Sequence, residues 1–343
     1  MAHTPNFSIK NYNKIWDNIK IDIQSASFSF ANIEAPIDNS KVASTYPFFN
    51  MPRDYVEAAI NAGFNVFSVA NNHTNDQNLE GIKETKKSIE YFSNKYITQS
   101  PLYFSGLKNE DENYNFTLIE KDGWKIIFLA ITEILNQPTF KSHINYLTPN
   151  KTKRTEFIEF CKNIKKENPC DLFIVSIHAN EEEYTREIKD SQKSFYYEML
   201  NSGVDIVWSN HAHIIKDREI IKNTSGHNEK LIMYANGNTI SGQRTNPSLL
   251  DTNPNFLRDN TGDGLLYKVT LSKENKDSPI KIEKTENIFI TTYKNTANEY
   301  IIKKMNTEFI SYLNSVNRKD WTEYIKRRIK INNETTKETV IWQ

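Results

Sequence analysis

Cysteine is nearly absent from the sequence: Cys161 and Cys170 are the only two in 343 residues. Two thiols build neither a disulfide framework nor a cysteine-ligated metal site, so both read as structural, Cys161 on a helix and Cys170 just before a strand. Long apolar runs are missing too. The longest, residues 126–131, falls far short of the about 20 residues that cross a bilayer. Residues 1–32 lack a charged-then-apolar leader pattern, so the chain as given reads as soluble and unexported. Net charge is also lacking, because 43 Lys and Arg cancel 43 Asp and Glu. No global field therefore gathers nucleic acid or an anionic membrane. There is no internal repeat and no linker before Thr292. What remains, 38% hydrophobic and 25% charged, is an ordinary globular chain, long enough for one large α/β domain with or without an appendage.

Elements alternate through the first two-thirds. Residues 28–33 read as a strand, and the polar loop after it ends at Tyr46-Pro47. A helix over about 54–62 stops at Gly63, a C-terminal cap residue. Residues 64–70 read as a buried strand, followed by Leu79, Ile82, Ile89 and Phe92 at helical spacing. Asp122-Gly123 predicts a hairpin between 116–120 and 124–131. Helices over 151–166 and 191–201 then precede strands over 172–177 and 204–208, and 231–235 is one more strand. This alternation predicts a sheet with helical cover, whose sites gather at the C-terminal strand ends. From Gly264 the pattern is β only, with strands over 265–271, 280–283 and 288–292. Ile301, Met305, Phe309, Leu313 and Val316 then predict an amphipathic helix, which packs on the domain or meets a partner.

Four patches at predicted strand ends hold four of the seven histidines. They are Asn32-Ile33-Glu34, the run from Asn71 to Asp76, Ser176-Ile177-His178 and Asn210-His211-Ala212-His213. Taken singly, each has a bland reading. His211 and His213 could be exposed loop residues; in strand-like i, i+2 geometry both rings point the same way and suit one shared metal or two neighbouring ones. The Asn71 patch could be a polar turn and helix cap. Its functional reading makes one Asn a ligand and His73 a general acid or electrostatic stabiliser held by Asp76. His178 could be a satisfied core histidine and Glu34 a loop carboxylate. Together, histidine, carboxylate and amide oxygen on separate strand ends are the ligand mix of a hydrolytic metal centre.

The order of these patches is similar to the calcineurin-like metallophosphoesterase superfamily, and within it to the CapA, or poly-gamma-glutamate capsule (PGA_cap), family. That family's run is Asn-Leu-Glu, Ala-Asn-Asn-His with an Asp three residues on, Ser-Ile-His-Trp-Gly-x-Glu, His-Pro-His and Tyr-Ser-Leu-Gly-Asn. The corresponding residues here are Asn32-Ile33-Glu34, Ala70-Asn71-Asn72-His73 with Asp76, Ser176-Ile177-His178-Ala179-Asn180-Glu181-Glu182, His211-Ala212-His213 and Tyr234-Ala235-Asn236-Gly237-Asn238. The likeness covers about residues 1–292. It implies an α/β fold, the four-layer α/β/β/α sandwich, over 1–292, with 293–343 a helical C-terminal extension outside it.

Residue by residue, the resemblance makes Glu34 a bridging carboxylate, with Asn72, His178 and His211 completing one metal's ligands and His213 serving the second. His73 is the catalytic histidine and Asp76 orients it. Glu182 takes the family's glutamate position, and Asn236 and Asn238 sit at the substrate rim. The cofactors implied are divalent metal ions, two in the full-length protein, with Mn, Fe or Zn suited to His, Asn and carboxylate ligands. Three departures stand out: Ala179-Asn180 for Trp-Gly, Ala212 for Pro, and no opening strand ending Gly-Asp-(Ile or Val)-Met. Met1-Ala2-His3 aligns just after that aspartate, which leads to the expectation of a shortened form of a longer gene product. Such a product could carry an export signal or membrane anchor, as members of the family often do.

The activity implied is a metal-dependent hydrolase of phosphoester type, associated in bacteria with capsule or poly-gamma-glutamate biosynthesis. One alternative is a non-catalytic or weakly metal-binding component of a polymer synthesis and export machine; another is an amide hydrolase acting on a glutamyl polymer. The expected partners are an anionic polymer or phosphoester substrate and cell-envelope polymer-synthesis proteins, with no nucleic acid and no transmembrane segment in this chain. The loops at 181–189 and 241–263 are long enough to build specificity.

Overall fold

In the computed structural model, residues 3–223, 226–248, 256–275 and 278–342 are described. The first half contains α1 (Lys20–Gln24), β1 (Phe30–Asn32), α2 (Arg53–Ala62), β2 (Val66–Ser68), α3 (Asn78–Tyr96) and β3 (Tyr103–Ser105). The hairpin β4 (Thr117–Lys121) and β5 (Trp124–Thr132) precedes α4 (Lys151–Glu167), β6 (Leu172–His178), α5 (Asp190–Asn201) and β7 (Ile206–Asn210). Then come β8 (Arg218–Lys222), β9 (Lys230–Met233), α6 (Phe256–Asp259), β10 (Asp263–Ser272) and β11 (Lys281–Lys294). The chain closes with β12 (Tyr300–Lys304), α7 (Thr307–Ser315), α8 (Lys319–Thr335) and β13 (Glu338–Trp342).

Apolar runs on both faces make β5 and β6 interior strands, as parallel strands covered on two sides require. They sit in a seven-stranded sheet of order β13-β8-β9-β7-β6-β5-β4, in which β5, β6, β7 and β9 are mutually parallel. One face, through Ile127, Leu129, Phe173 and Val175, packs on Phe157 of α4 and Phe195 and Met199 of α5. The other, through Ile126, Phe128, Leu172 and Ile174, meets Phe30 of β1 and Tyr267 and Val269 of β10. Those strands belong to two three-stranded sheets, parallel β1-β2-β3 and antiparallel β10-β11-β12. Beyond them, Tyr55, Val56 and Ile60 of α2 and Ile82 and Phe92 of α3 close the outer layer. The layers therefore run α/β/β/α. No helix among the described residues is long and apolar enough to cross a membrane.

Local chemistry sets several boundaries. Gly63, at φ 116°, ends α2 and returns its N–H to Ala59 and Ile60, a backbone that favours glycine. Asn150 caps α4 by accepting the Lys153 N–H at 2.9 Å. Cys161 is buried on α4 and Cys170 lies just before β6, both as free thiols.

The C-terminal region departs from expectation. Predicted strands 280–283 and 288–292 are one strand, β11, and the boundary placed at 292/293 falls inside it. Ile301 lies in β12, paired with Tyr293, and the helix begins only at Thr307, where Asn306 accepts the Phe309 N–H. Helical spacing at Ile301 and Met305 was coincidental, and pairing with β11 overrode it. Nor are residues 293–343 a helical extension outside the domain: β13 pairs in parallel with β8 and completes one edge of the large sheet.

Candidate metal centre

Parallel register brings the patches together. Thr132 of β5 pairs with His178 of β6, which pairs with Asn210 of β7, so three strands end flush. β1 and β2 end alongside each other, Asn32 against Ser68, and deliver Glu34 and the Asn71 turn to the same place. Asn71 ties that turn down, donating its amide to Ile33 O at 2.7 Å and accepting the His73 N–H at 3.1 Å. The turn reading and the site reading of this patch thus describe one structure. His211 and His213 lie past the end of β7 with φ of 106° and 57°, so a turn, and not extended i, i+2 geometry, places their rings 6.0 Å apart. Left-handed backbone at two histidines is strained and is held by the surrounding structure.

Donor atoms converge from these elements. His178 Nε2 is 3.0 Å from Asn72 Oδ1, 3.1 Å from His211 Nδ1 and 3.9 Å from Glu34 Oε1. Ligands about 2.1 Å from one ion and at right angles stand about 3.0 Å apart, so these separations suit a shared cation. Glu34 Oε1 and His213 Nε2, 3.6 Å apart, are both buried without a hydrogen-bond partner. Buried polar atoms are nearly always paired, so orphans that face each other fit an ion between them. Glu183, His211 and His213 form a second group whose ligand atoms all lie within 4.8 Å. The donor set therefore fits divalent metal.

Burial shapes the electrostatics. Glu34, Asn72, His73, His178, His211 and His213 are all between 1% and 6% exposed. Desolvation, with the His211 and His213 rings beside it, holds His178 well below the ordinary imidazole value. The same burial, with His213 adjacent, holds His211 down to about 4. Both rings are neutral near pH 7 and keep a lone pair for a metal. His73 Nδ1 meets Asp76 Oδ2 at 2.6 Å, and that oxygen also accepts the Phe49 N–H at 2.8 Å. Burial pushes the Asp76 carboxyl up, while His73 and the Phe49 N–H pull it back.

Several placements differ from the sequence reading. Glu182 points outward, 75% exposed, and pairs with Lys189 at 3.3 Å. Its neighbour Glu183 instead approaches His213 Nε2 at 4.0 Å. Tyr184, at φ 67° with its N–H on Ala212 O, turns the chain so that Glu183 faces inward. Asn238 Oδ1 accepts from His213 Nδ1 at 3.1 Å, whereas Asn236 donates its amide to Met233 Sδ at 3.7 Å. Sequence reasoning missed Asn136, whose amide lies 3.2 and 3.3 Å from the two His73 ring nitrogens and whose N–H donates to Asn72 O. It also missed His3, 5.2 Å from the Phe49 ring, which itself packs 4.5 Å from His73. Nothing local marks Asn136, but His3 could have been flagged by its motif position. Of the specificity loops, residues 249–255 lie outside the described residues.

The family model described as bacterial capsule synthesis protein PGA_cap matches residues 1–243. The chain is 25% identical over 269 residues to the capsule biosynthesis protein CapA of Bacillus anthracis, covering 75% of this chain and 61% of that protein. It is 23% identical over 247 residues to the PGA biosynthesis protein CapA of Bacillus subtilis (strain 168), covering 70% and 61%. The match thus spans about three-fifths of the length of these curated relatives. A crystal structure of a hypothetical protein from Thermus thermophilus aligns with a TM-score of 0.39 and 12% identity, over 85% of this chain and 92% of that one.

Proposed function

The chain belongs to the bacterial capsule synthesis protein PGA_cap family, and from that premise we propose that it is a metal-dependent hydrolase of phosphoester type serving capsule or poly-gamma-glutamate synthesis. The observation that carries the reading is the convergence of Asn72, His178, His211 and the orphaned Glu34 Oε1 on one buried point. Glu34, as the bridging carboxylate, would join Asn72, His178 and His211 on one cation and His213 with Glu183 on a second. Bound as a pair, such cations supply a Lewis-acid clamp on substrate oxygens and an activated water.

The remaining steps fall to side chains of this chain. Asp76 accepts from His73 Nδ1, which fixes the ring and makes Nε2, beside the Asn136 amide, the nitrogen that would serve the scissile group. From there His73 donates a proton to the leaving oxygen or stabilises charge developing on it. Phe49, packed at 76° to the His73 ring, shields that hydrogen bond from water. Metal analysis together with a bis(p-nitrophenyl) phosphate assay on wild type and His211→Ala tests the reading. Metal-dependent turnover that the substitution abolishes is expected; full activity in the variant would sink the proposal.

One observation favours a second reading, a non-catalytic metal-binding component of the polymer machinery. The six site side chains are nearly closed to solvent, none above 6% exposed. A metal-loaded protein that turns over no phosphoester, but captures cell-envelope polymer-synthesis proteins, would select this reading over the first.

A further inference from the structure

Solvent reaches the metal centre at Glu183, whose side chain is 35% exposed beside the buried His211 and His213. A ladder of side chains frames that opening. Tyr184 lies beside His213, with ring centroids 6.2 Å apart and planes 30° from parallel. The Arg258 guanidinium lies over the Tyr184 ring, its Cζ 5.7 Å from the centroid. An exposed cation thus stands at the mouth of the site, one aromatic ring removed from a candidate metal ligand.

The ladder is held from several directions. Tyr184 sits at φ 67°, a backbone that a bulky side chain adopts only where its surroundings impose it. Its N–H donates to Ala212 O, and its hydroxyl accepts from Gln243 Nε2 at 3.3 Å. Gln243 Oε1 accepts in turn from Asn238 Nδ2 at 3.1 Å, and the oxygen of that same amide meets His213. Arg186 ties the Tyr184 loop to the segment that carries Arg258, donating to Ile215 O at 2.7 Å and to Asn260 Oδ1 at 3.5 Å. Among the described residues, Arg154, Arg318 and Arg328 each pair with a carboxylate and Arg258 does not. Nor does the Tyr184 ring need a cation to fix it, since Ala212 and Gln243 already do so. A guanidinium stacked by its flat face keeps its edge N–H donors, which match an oxyanion two at a time.

We propose that Arg258, stacked on Tyr184, binds a second oxyanion of the substrate, a phosphate or carboxylate beyond the phosphoester at the metal centre. The site then selects molecules that carry two anionic groups over those that carry one. Tyr184 is the positioning residue: it holds the guanidinium at a fixed offset from His213. The inference deepens the hydrolase reading and rests on it for the first anionic group, the scissile phosphoester.

The test uses the full chain loaded with Mn and three phosphonates, which resist hydrolysis so that binding alone is read. They are hexylphosphonate and the same chain ending in a second phosphonate or in a carboxylate. Titration calorimetry compares wild type, Arg258→Lys and Arg258→Ala. In wild type a second anionic end should tighten binding about fivefold, the size set by an exposed ion pair, and the end that does so identifies the group. Arg258→Ala should lose the gain yet bind hexylphosphonate as wild type does, and Arg258→Lys should keep only part of it. No gain in wild type with either end, or an equal gain in Arg258→Ala, would overturn the proposal. So would equal weakening of all three ligands in Arg258→Ala, the mark of a residue that only shapes the loop. A gain that persists in protein unable to turn over bis(p-nitrophenyl) phosphate supports this inference and sinks the hydrolase reading alone.

Discussion

Oε1 of Glu34 and Nε2 of His213 face each other across 3.6 Å, both buried and neither with a hydrogen-bond partner. They come from residues 179 positions apart in sequence, 213 minus 34, just past the ends of strands in different sheets. A buried orphan of this kind costs about 1–3 kcal/mol, so two at one spot destabilise the metal-free fold unless an ion pairs them.

Divalent cation should therefore stabilise the protein strongly. At a free concentration of 100 times Kd, mass action alone adds about 2.7 kcal/mol. Thermal scanning with and without Mn should show a clear rise in Tm for wild type. Glu34→Gln and His211→Ala should lose most of that rise.

Acid should weaken the metal-free protein early. His178 and His211 are held below the ordinary imidazole value of 6.5, His211 to about 4, so the unfolded chain takes up protons first as pH falls. Stability is then lost as pH drops from about 6.5 toward 4, and His211 adds no further loss below its folded value. Urea unfolding at pH 7.5, 5.5 and 4 reads this slope. His211→Ala should flatten it.

The two neighbouring glutamates should separate cleanly. Glu183→Gln removes a carboxylate that lies within 4.8 Å of His211 and His213, and should weaken the second cation by about 10–100-fold. Glu182→Gln touches only an exposed pair with Lys189 and should leave metal affinity and stability unchanged within about 0.5 kcal/mol. Calorimetric titration with Mn compares them, and equal loss in both would contradict this placement.

Asn238 should act by holding the His213 ring in place. Its side chain bridges His213 Nδ1, at 3.1 Å, and Thr261 O, at 2.9 Å. Asn238→Ala frees the ring, and metal affinity should fall by about 10–100-fold. A stability loss of about 1–3 kcal/mol should accompany it, since Thr261 O loses a donor. Asn238→Asp should recover the hydrogen bond to His213 but not the one to Thr261.

The C-terminal helix α8 should prove integral to the fold. Arg328 reaches Asp263 at 2.7 Å and Asn260 at 2.6 Å, with both charged side chains 1% exposed. Removing one partner of such a buried pair costs about 3–5 kcal/mol, so Arg328→Ala should lower the urea midpoint sharply. Adding Asp263→Asn to Arg328→Met should restore much of the loss.

Much of the site was legible because its patches lie where apolar runs stop. Strand period, the Gly63 cap and the Asp122-Gly123 hairpin are local chemistry, and each is where the sequence puts it. The gathering of the candidate residues was legible for the same reason: Glu34, Asn72, His73, His178, His211 and His213 all close or follow strands whose parallel register brings their ends level. Other features depended on contacts distant in sequence. Three successive glutamates at 181–183 look alike until the fold buries Glu181 on Lys216, turns Glu183 toward His213 and leaves Glu182 exposed. Asn136 reaches His73 across 63 positions. The helical spacing of Ile301 and Met305 gave way because β11 offered an open edge, and β13 became a strand because β8 offered another. Periodicity and turn chemistry act within a few residues, so the sequence alone determines them. Which edge finds which partner, and which edges stay open across the cavity between β1 and β10, is decided only when the layers pack.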